Sequence, residues 1–159
     1  MLVRGRPPVS TVESPTDTDA VARYCAASTA NDIEGILATL SPDAELVSPL
    51  SANIVVRGKD DLRVLLGAVY SSLDGLRWER IAAEGKYVTA VATSRLAGLR
   101  VDDAMIFELG PDGGIVRIRP HLRPWLGTTA FALLLGAKLA GHFDVILRAA
   151  RAGTAGRSG

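Results

Sequence analysis

From Leu76 onward the sequence changes its period, and that change limits the possible folds more than any other feature. Four runs alternate apolar and polar side chains: Leu76–Glu84, Tyr87–Leu96, Val101–Leu109 and Ile115–Leu122. This is the period of strands with one buried face. Gly85-Lys86, Ala97-Gly98 and Pro111-Asp112-Gly113-Gly114 lie between them, each with the residues of a hairpin turn. The preceding segments repeat at helical spacing instead. Val21, Tyr24, Cys25 and Ser28 form one stripe; Ile33, Ile36, Leu37 and Leu40 form the next, and Leu62, Leu65, Leu66, Val69 and Leu73 a third. Thr18 or Asp19 can cap the first helix and Asn31-Asp32 restarts the second. After the Ser41-Pro42-Asp43 turn, Ala44–Leu50 reads as a short strand closed by Pro49. Helices followed by consecutive strands predict an α+β domain, a curved antiparallel sheet wrapped around N-terminal helices.

The chain divides into a flexible tail over 1–17, one folded unit over 18–122, a helical extension over 123–150 and a second flexible tail over 151–159. A length of 159 residues fits a single domain. A net charge of +1 leaves no basic field for nucleic acid. One cysteine, Cys25, excludes an internal disulfide, and two histidines are too few for a metal site of the usual kind. No Gly-rich phosphate loop is present, so no cofactor is implied. Met1–Ser10 has no apolar run after its arginines, so no signal peptide is expected, and the cytoplasm is the expected compartment. Pro124–Ala137 is fourteen residues without charge, short of the ~18–20 that span a bilayer. It predicts one C-terminal helix, which can cap the domain, extend a dimer interface or rest on a membrane surface.

The run Val101–Leu109 carries the chemistry. Asp103, Met105, Phe107 and Leu109 share one face; Asp102, Ala104, Ile106 and Glu108 share the other. A carboxylate among three large apolar side chains is desolvated, which favours its protonated form. With Ala97–Leu99 as the turn, Thr93 opposes Asp103, Val91 opposes Met105 and Thr89 opposes Phe107. The plain alternative is a solvated Asp pair held by Arg95 or Arg100.

Several strings resemble a family. Val21-Ala22-Arg23-Tyr24, Asn31-Asp32-Ile33-Glu34, the run Ser41–Pro49, Gly58-Lys59-Asp60 and Val101–Phe107 followed by Gly113-Gly114-Ile115 are similar, in order, to the ketosteroid isomerases. These belong to the nuclear-transport-factor-2-like cone fold, with the SnoaL-like polyketide cyclases and limonene epoxide hydrolases. The resemblance covers Asp19 to Leu122. It implies a cone with an apolar pocket for a steroid- or polyketide-like ligand, and two oxyanion donors: a tyrosine, matching Tyr24, and a protonated aspartic acid, matching Asp103. In the ketosteroid isomerases an apolar site keeps that carboxylic acid neutral at pH 7. The family's general base, an aspartate before the proline of the first strand, is replaced by Ser48, and a serine hydroxyl cannot take a carbon-bound proton unaided.

Glu45 falls on the opposite strand face from Ser48. His121 lies where related cyclases carry an acid or base, although its alternation with Arg117 and Arg119 points it to solvent or an interface. The expected site is therefore Tyr24, Asp103, Ser48 and His121, lined by Val47, Leu66, Val91, Met105 and Phe107. Three functions fit: a cofactor-free isomerase, cyclase or epoxide hydrolase, a binder of a small apolar ligand, or a dimeric interaction module. A homodimer through the sheet is expected in each.

Overall fold

The computed structural model describes residues 18–155, so the expected tail over 1–17 and its counterpart over 156–159 lie outside the described residues. Helix α1 (Asp19–Thr29) buries Val21, Tyr24, Cys25 and Ser28, the stripe its spacing predicts. Thr18 stands at its N-cap without a side-chain bond. Helix α2 (Ile33–Ala38) is capped by Asp32, whose carboxylate accepts the Gly35 amide at 2.9 Å. Helix α3 (Lys59–Tyr70) follows strands β1 (Leu40–Val47) and β2 (Val55–Arg57). Strands β3 (Leu73–Glu84), β4 (Tyr87–Leu96), β5 (Leu99–Leu109), β6 (Ile115–Arg119) and β7 (Leu122–Arg123) complete the sheet.

The sheet order is β2-β1-β6-β5-β4-β3, with β7 on β5. All pairs are antiparallel except β1 with β6, which brings the first strand back beside the last long one. β1 starts at Leu40, before the expected turn, and ends at Val47. Pro42 is tolerated there because the pairing with β6 is irregular between Leu40 and Glu45.

The β4–β5 hairpin corrects the expected register by one residue. Ala97 and Gly98 alone form its loop, both at positive φ (48° and 81°), and Leu96 pairs with Leu99. Ala92 therefore opposes Asp103, Ala90 opposes Met105 and Val88 opposes Phe107. A shift of one residue exchanges faces, so Val91 and Thr93 move to the outer side and alanines take the inner one.

The inner face packs on α1, α2 and α3. Tyr24 is fully buried at the centre, edge-on to Phe107 at 5.0 Å, Tyr70 at 6.3 Å and Trp78 at 6.5 Å between ring centroids. On the outer face a chain of ion pairs runs across the sheet: Arg57 to Glu45, Glu45 to Arg117, Arg117 to Glu108, Glu108 to Lys86.

The C-terminal extension is two helices, α4 (Trp125–Leu139) and α5 (Phe143–Ala155). The break falls at Ala140–His142, where Gly141 interrupts helical propagation. α5 continues five residues past the expected boundary at 150. α4 lies against α3 and β7, and α5 against β2, so together they cover the open mouth of the sheet.

Candidate functional site

Between the inner sheet face, α3 and the two C-terminal helices lies a cavity of about 220 Å³. Leu46 and Ser48 reach it from β1 and its exit, Leu65, Leu66 and Tyr70 from α3, and Val101, Asp103 and Met105 from β5. Phe131, Leu135 and Leu139 of α4 and Val145, Ile146 and Ala149 of α5 close the far side. The wall is almost wholly apolar. Asp103 is its one carboxylic acid among the described residues.

Strand alternation places Asp103 there, between Val101 and Met105. Burial pushes its carboxyl up to about 6, against the opposing effect of the His121 backbone amide, which donates to Oδ1 at 2.9 Å. Asp103 therefore titrates near neutrality. Asp102 faces outward, where Arg100 at 2.9 Å and Arg123 at 3.6 Å pair with it, so the adjacent acids belong to different environments.

Ser48 lines the cavity, and its Oγ accepts the Leu50 amide at 3.2 Å. Leu66 and Met105 are also on the wall. The remaining expected site residues are elsewhere. Tyr24 and Phe107 are in the core behind the wall, because the aromatic cluster fills the inner end of the cone. Val47 and Val91 lie on the outer sheet face, the first by strand alternation and the second by the register shift. The His121 side chain is exposed and outside the cavity. Its Nδ1 sits 3.1 Å from the Ala104 and Arg119 carbonyl oxygens; both are acceptors, so Nδ1 carries the proton. His121 thus hydrogen-bonds Asp103 through its main chain, and its ring acts on that carboxyl as a nearby charge that lowers it.

Glu45 is no substitute base. Burial pushes its carboxyl up, but the Arg57 and Arg117 guanidinium groups outweigh this and hold it below the usual carboxylate range. Cys25 is no nucleophile, since burial pushes its thiol up to about 12.

Tyr70 is the cavity-lining candidate that sequence reasoning missed. Its hydroxyl is 2.8 Å from that of Tyr24, and it lines the cavity where Tyr24 does not. Burial first of all raises both phenols above the ordinary tyrosine range. The two hydroxyls share one mutual bond, in which either can be the donor. Leu62, Leu66 and Tyr70 share an i, i+4 stripe, which marks Tyr70 as inward-facing but does not tell a cavity lining from a core filling.

The two phenols also give a stability prediction. Tyr70→Phe leaves the Tyr24 hydroxyl buried without a partner and costs about 1–3 kcal/mol. Tyr24→Phe leaves the equally buried Tyr70 hydroxyl without that bond and costs a similar amount. The double variant costs less than the two single effects added, as urea unfolding of the four proteins will show.

Comparison with known proteins agrees with this architecture. The SnoaL-like domain family matches residues 21–118. This chain belongs to that family. The fold of the SnoaL-like chain is the nuclear-transport-factor-2-like cone, shared with solved structures. A steroid delta-isomerase from Pseudomonas aeruginosa superposes with a TM-score of 0.75 at 21% identity, covering 85% of this chain and 99% of that one. A protein with a cystatin-like fold from Silicibacter pomeroyi DSS-3, described as uncharacterized, gives 0.76 at 22% identity, covering 82% and 94%. A putative ketosteroid isomerase from Kribbella flavida DSM 17836 gives 0.60 at 16% identity, covering 72% and 83%. No curated protein matches the sequence. The family match ends before the two helices that close the cavity in this SnoaL-like chain.

Proposed function

We propose that this SnoaL-like domain binds a small apolar ligand bearing one hydroxyl or carbonyl oxygen, which Asp103 and Tyr70 hydrogen-bond inside the cavity. One observation carries this reading: a nearly all-apolar wall with a single carboxylic acid. The cavity volume, about 220 Å³, is below the roughly 300–1,000 Å³ of drug-sized ligand sites. It suits one or two fused rings, and a steroid would enter only with displacement of α4 or α5.

Ser48 in place of an aspartate argues for binding without proton abstraction from carbon. The enzymatic reading, an isomerase, cyclase or epoxide hydrolase, needs a second acid–base group on the wall, and Asp103 is the one carboxyl there. A homodimer is the second part of the proposal. The outer sheet face carries half-buried Val91, Ala104 and Ile106 beside one another, with charged residues around them, and suits a second copy.

The test is fluorescence titration with a naphthol. Binding is expected in wild type, weakened about tenfold or more by Asp103→Leu and blocked by Leu66→Trp, which fills the cavity. Absence of binding, or binding indifferent to both changes, overturns the reading. Light scattering on Ile106→Lys checks the dimer, which the added charge is expected to dissociate.

A further inference from the structure

The two edges of the sheet differ. β2 is three residues long and has α5 packed against it. β3 is twelve residues long and ends the sheet on the other side, with β4 as its one strand neighbour among the described residues. A strand edge offers unpaired main-chain donors and acceptors to a further strand, and proteins normally blunt it with bulges or charge. The pairing of β3 with β4 is irregular between Asp74 and Arg77 and between Trp78 and Arg80. From Arg80 to Glu84 it is regular, and all five residues are exposed, Ile81 by 38%.

Charge decides which partner fits this segment. Arg80, Ala82 and Glu84 share the outer face with Val91, Thr89 and Tyr87, their partners on β4. Elsewhere on that face Arg57, Glu45, Arg117, Glu108 and Lys86 pair in a chain, whereas Arg80 and Glu84 form no ion pair among the described residues. Four strand residues hold the two charges about 13 Å apart, too far to pair with each other. A second copy removes that limit. Two such segments laid antiparallel about a two-fold axis at Ala82 set Arg80 of each opposite Glu84 of the other, and Ile81 opposite Ala83. With the axis at Ile81 or at Ala83, Arg80 or Glu84 faces Ala82 instead; with it at Arg80 or Glu84, like charge faces like. The segment is self-complementary in one register.

We propose that the β3 edge at Arg80–Glu84 adds to the same edge of a second copy, joining two sheets into one through main-chain bonds and a reciprocal Arg80–Glu84 pair. This contact is separate from the pairing of outer sheet faces and does not depend on what the cavity holds. It spans five residues, so it is read at high protein concentration.

The test is sedimentation equilibrium of the full chain carrying Ile106→Lys, which blocks the outer face. This parent is expected to form dimers as its concentration rises, and Arg80→Glu or Glu84→Arg to raise the dissociation constant at least about tenfold, with an unchanged circular dichroism spectrum. Arg80→Glu/Glu84→Arg reverses both charges and is expected to restore dimers, and an equimolar mixture of the two single variants to form the heterodimer. A second measurement needs no change at Ile106. Opposed residues of antiparallel strands lie about 4.5–5.5 Å apart between Cα atoms, within reach of a disulfide. Ala82→Cys, at the axis, is therefore expected to crosslink to its own copy on mild oxidation faster than Arg23→Cys on α1. A parent that stays monomeric, single variants that associate as tightly as the parent, a reversal or mixture that restores nothing, or equal crosslinking at the two cysteines overturns the proposal. So does association gained only on deleting residues 1–17, which would assign the edge to the chain's own N-terminal segment.

Discussion

Ser48→Asp is expected to raise isomerisation of a β,γ-unsaturated cyclohexenone well above the wild-type rate. The position is on the cavity wall, and the local backbone accepts the change. Ser48 Oγ already accepts the Leu50 amide at 3.2 Å, and an aspartate side chain makes the same turn bond with one oxygen. Its other oxygen would face an almost wholly apolar space, where desolvation raises its pKa and makes it a stronger base. A second carboxyl on that wall also disfavours the doubly ionised state, so one of the two keeps its proton near neutral pH. Asp103, already raised to about 6 by burial, is then available as the donor to the dienolate oxygen. General-base catalysis is worth about 10²–10⁴-fold, and a gain of that order, followed by absorbance of the conjugated enone, is the expected result. Adding Asp103→Leu to Ser48→Asp should remove most of it. A Ser48→Asp protein that binds a naphthol yet leaves the enone unchanged would show that the two carboxyls do not converge on one substrate.

Much of the fold was legible because period and turn chemistry are local. The i, i+3, i+4 stripe of α1, the cap at Asp32 and the strand runs Leu76–Glu84, Tyr87–Leu96 and Val101–Leu109 appear where spacing puts them, whereas the expected run Ile115–Leu122 is two strands, Ile115–Arg119 and Leu122–Arg123, parted at Pro120. What was not legible depended on one residue of register or on contacts distant in sequence. A loop of two residues rather than three at Ala97-Gly98 moved Val91 out of the cavity and Ala90 and Ala92 to the inner face. Asp103 was found because alternation along its own strand does not depend on a partner. Tyr70 was missed because its pairing with Tyr24 spans 46 residues, and nothing local in α3 distinguishes a phenol that lines a cavity from one that fills a core. The closing helices were least legible. α4 is apolar all round in sequence, so spacing alone could not say which side faces the cavity.

Asp103→Asn is expected to stabilise the protein at neutral and alkaline pH and to leave it unchanged in acid. The sign follows from where the proton sits. The folded carboxyl titrates at about 6 and the free side chain at 3.8. Below the lower value both states are protonated, and the group contributes no difference. Between the two the folded state holds the proton and the unfolded state has lost it, so raising the pH favours unfolding. Above about 6 the loss is complete, and it amounts to roughly 3 kcal/mol for a shift of this size. Asparagine is isosteric and uncharged, and its Oδ1 can still accept the His121 amide that Asp103 Oδ1 accepts at 2.9 Å. It therefore removes the cost of burying a charge without leaving that donor unpaired. Urea midpoints of the two proteins should coincide near about pH 4 and separate as pH rises, levelling off above about pH 7. Equal midpoints across the range would mean that the Asp103 carboxylate is solvated in solution, and a destabilised Asn variant at high pH would mean that the anion is held by a group not facing it in this structure. The expected gain also sets the cost of the candidate site. The buried acid that would recognise a ligand oxygen destabilises the empty domain at neutral pH, and a ligand that hydrogen-bonds it recovers part of that energy on binding.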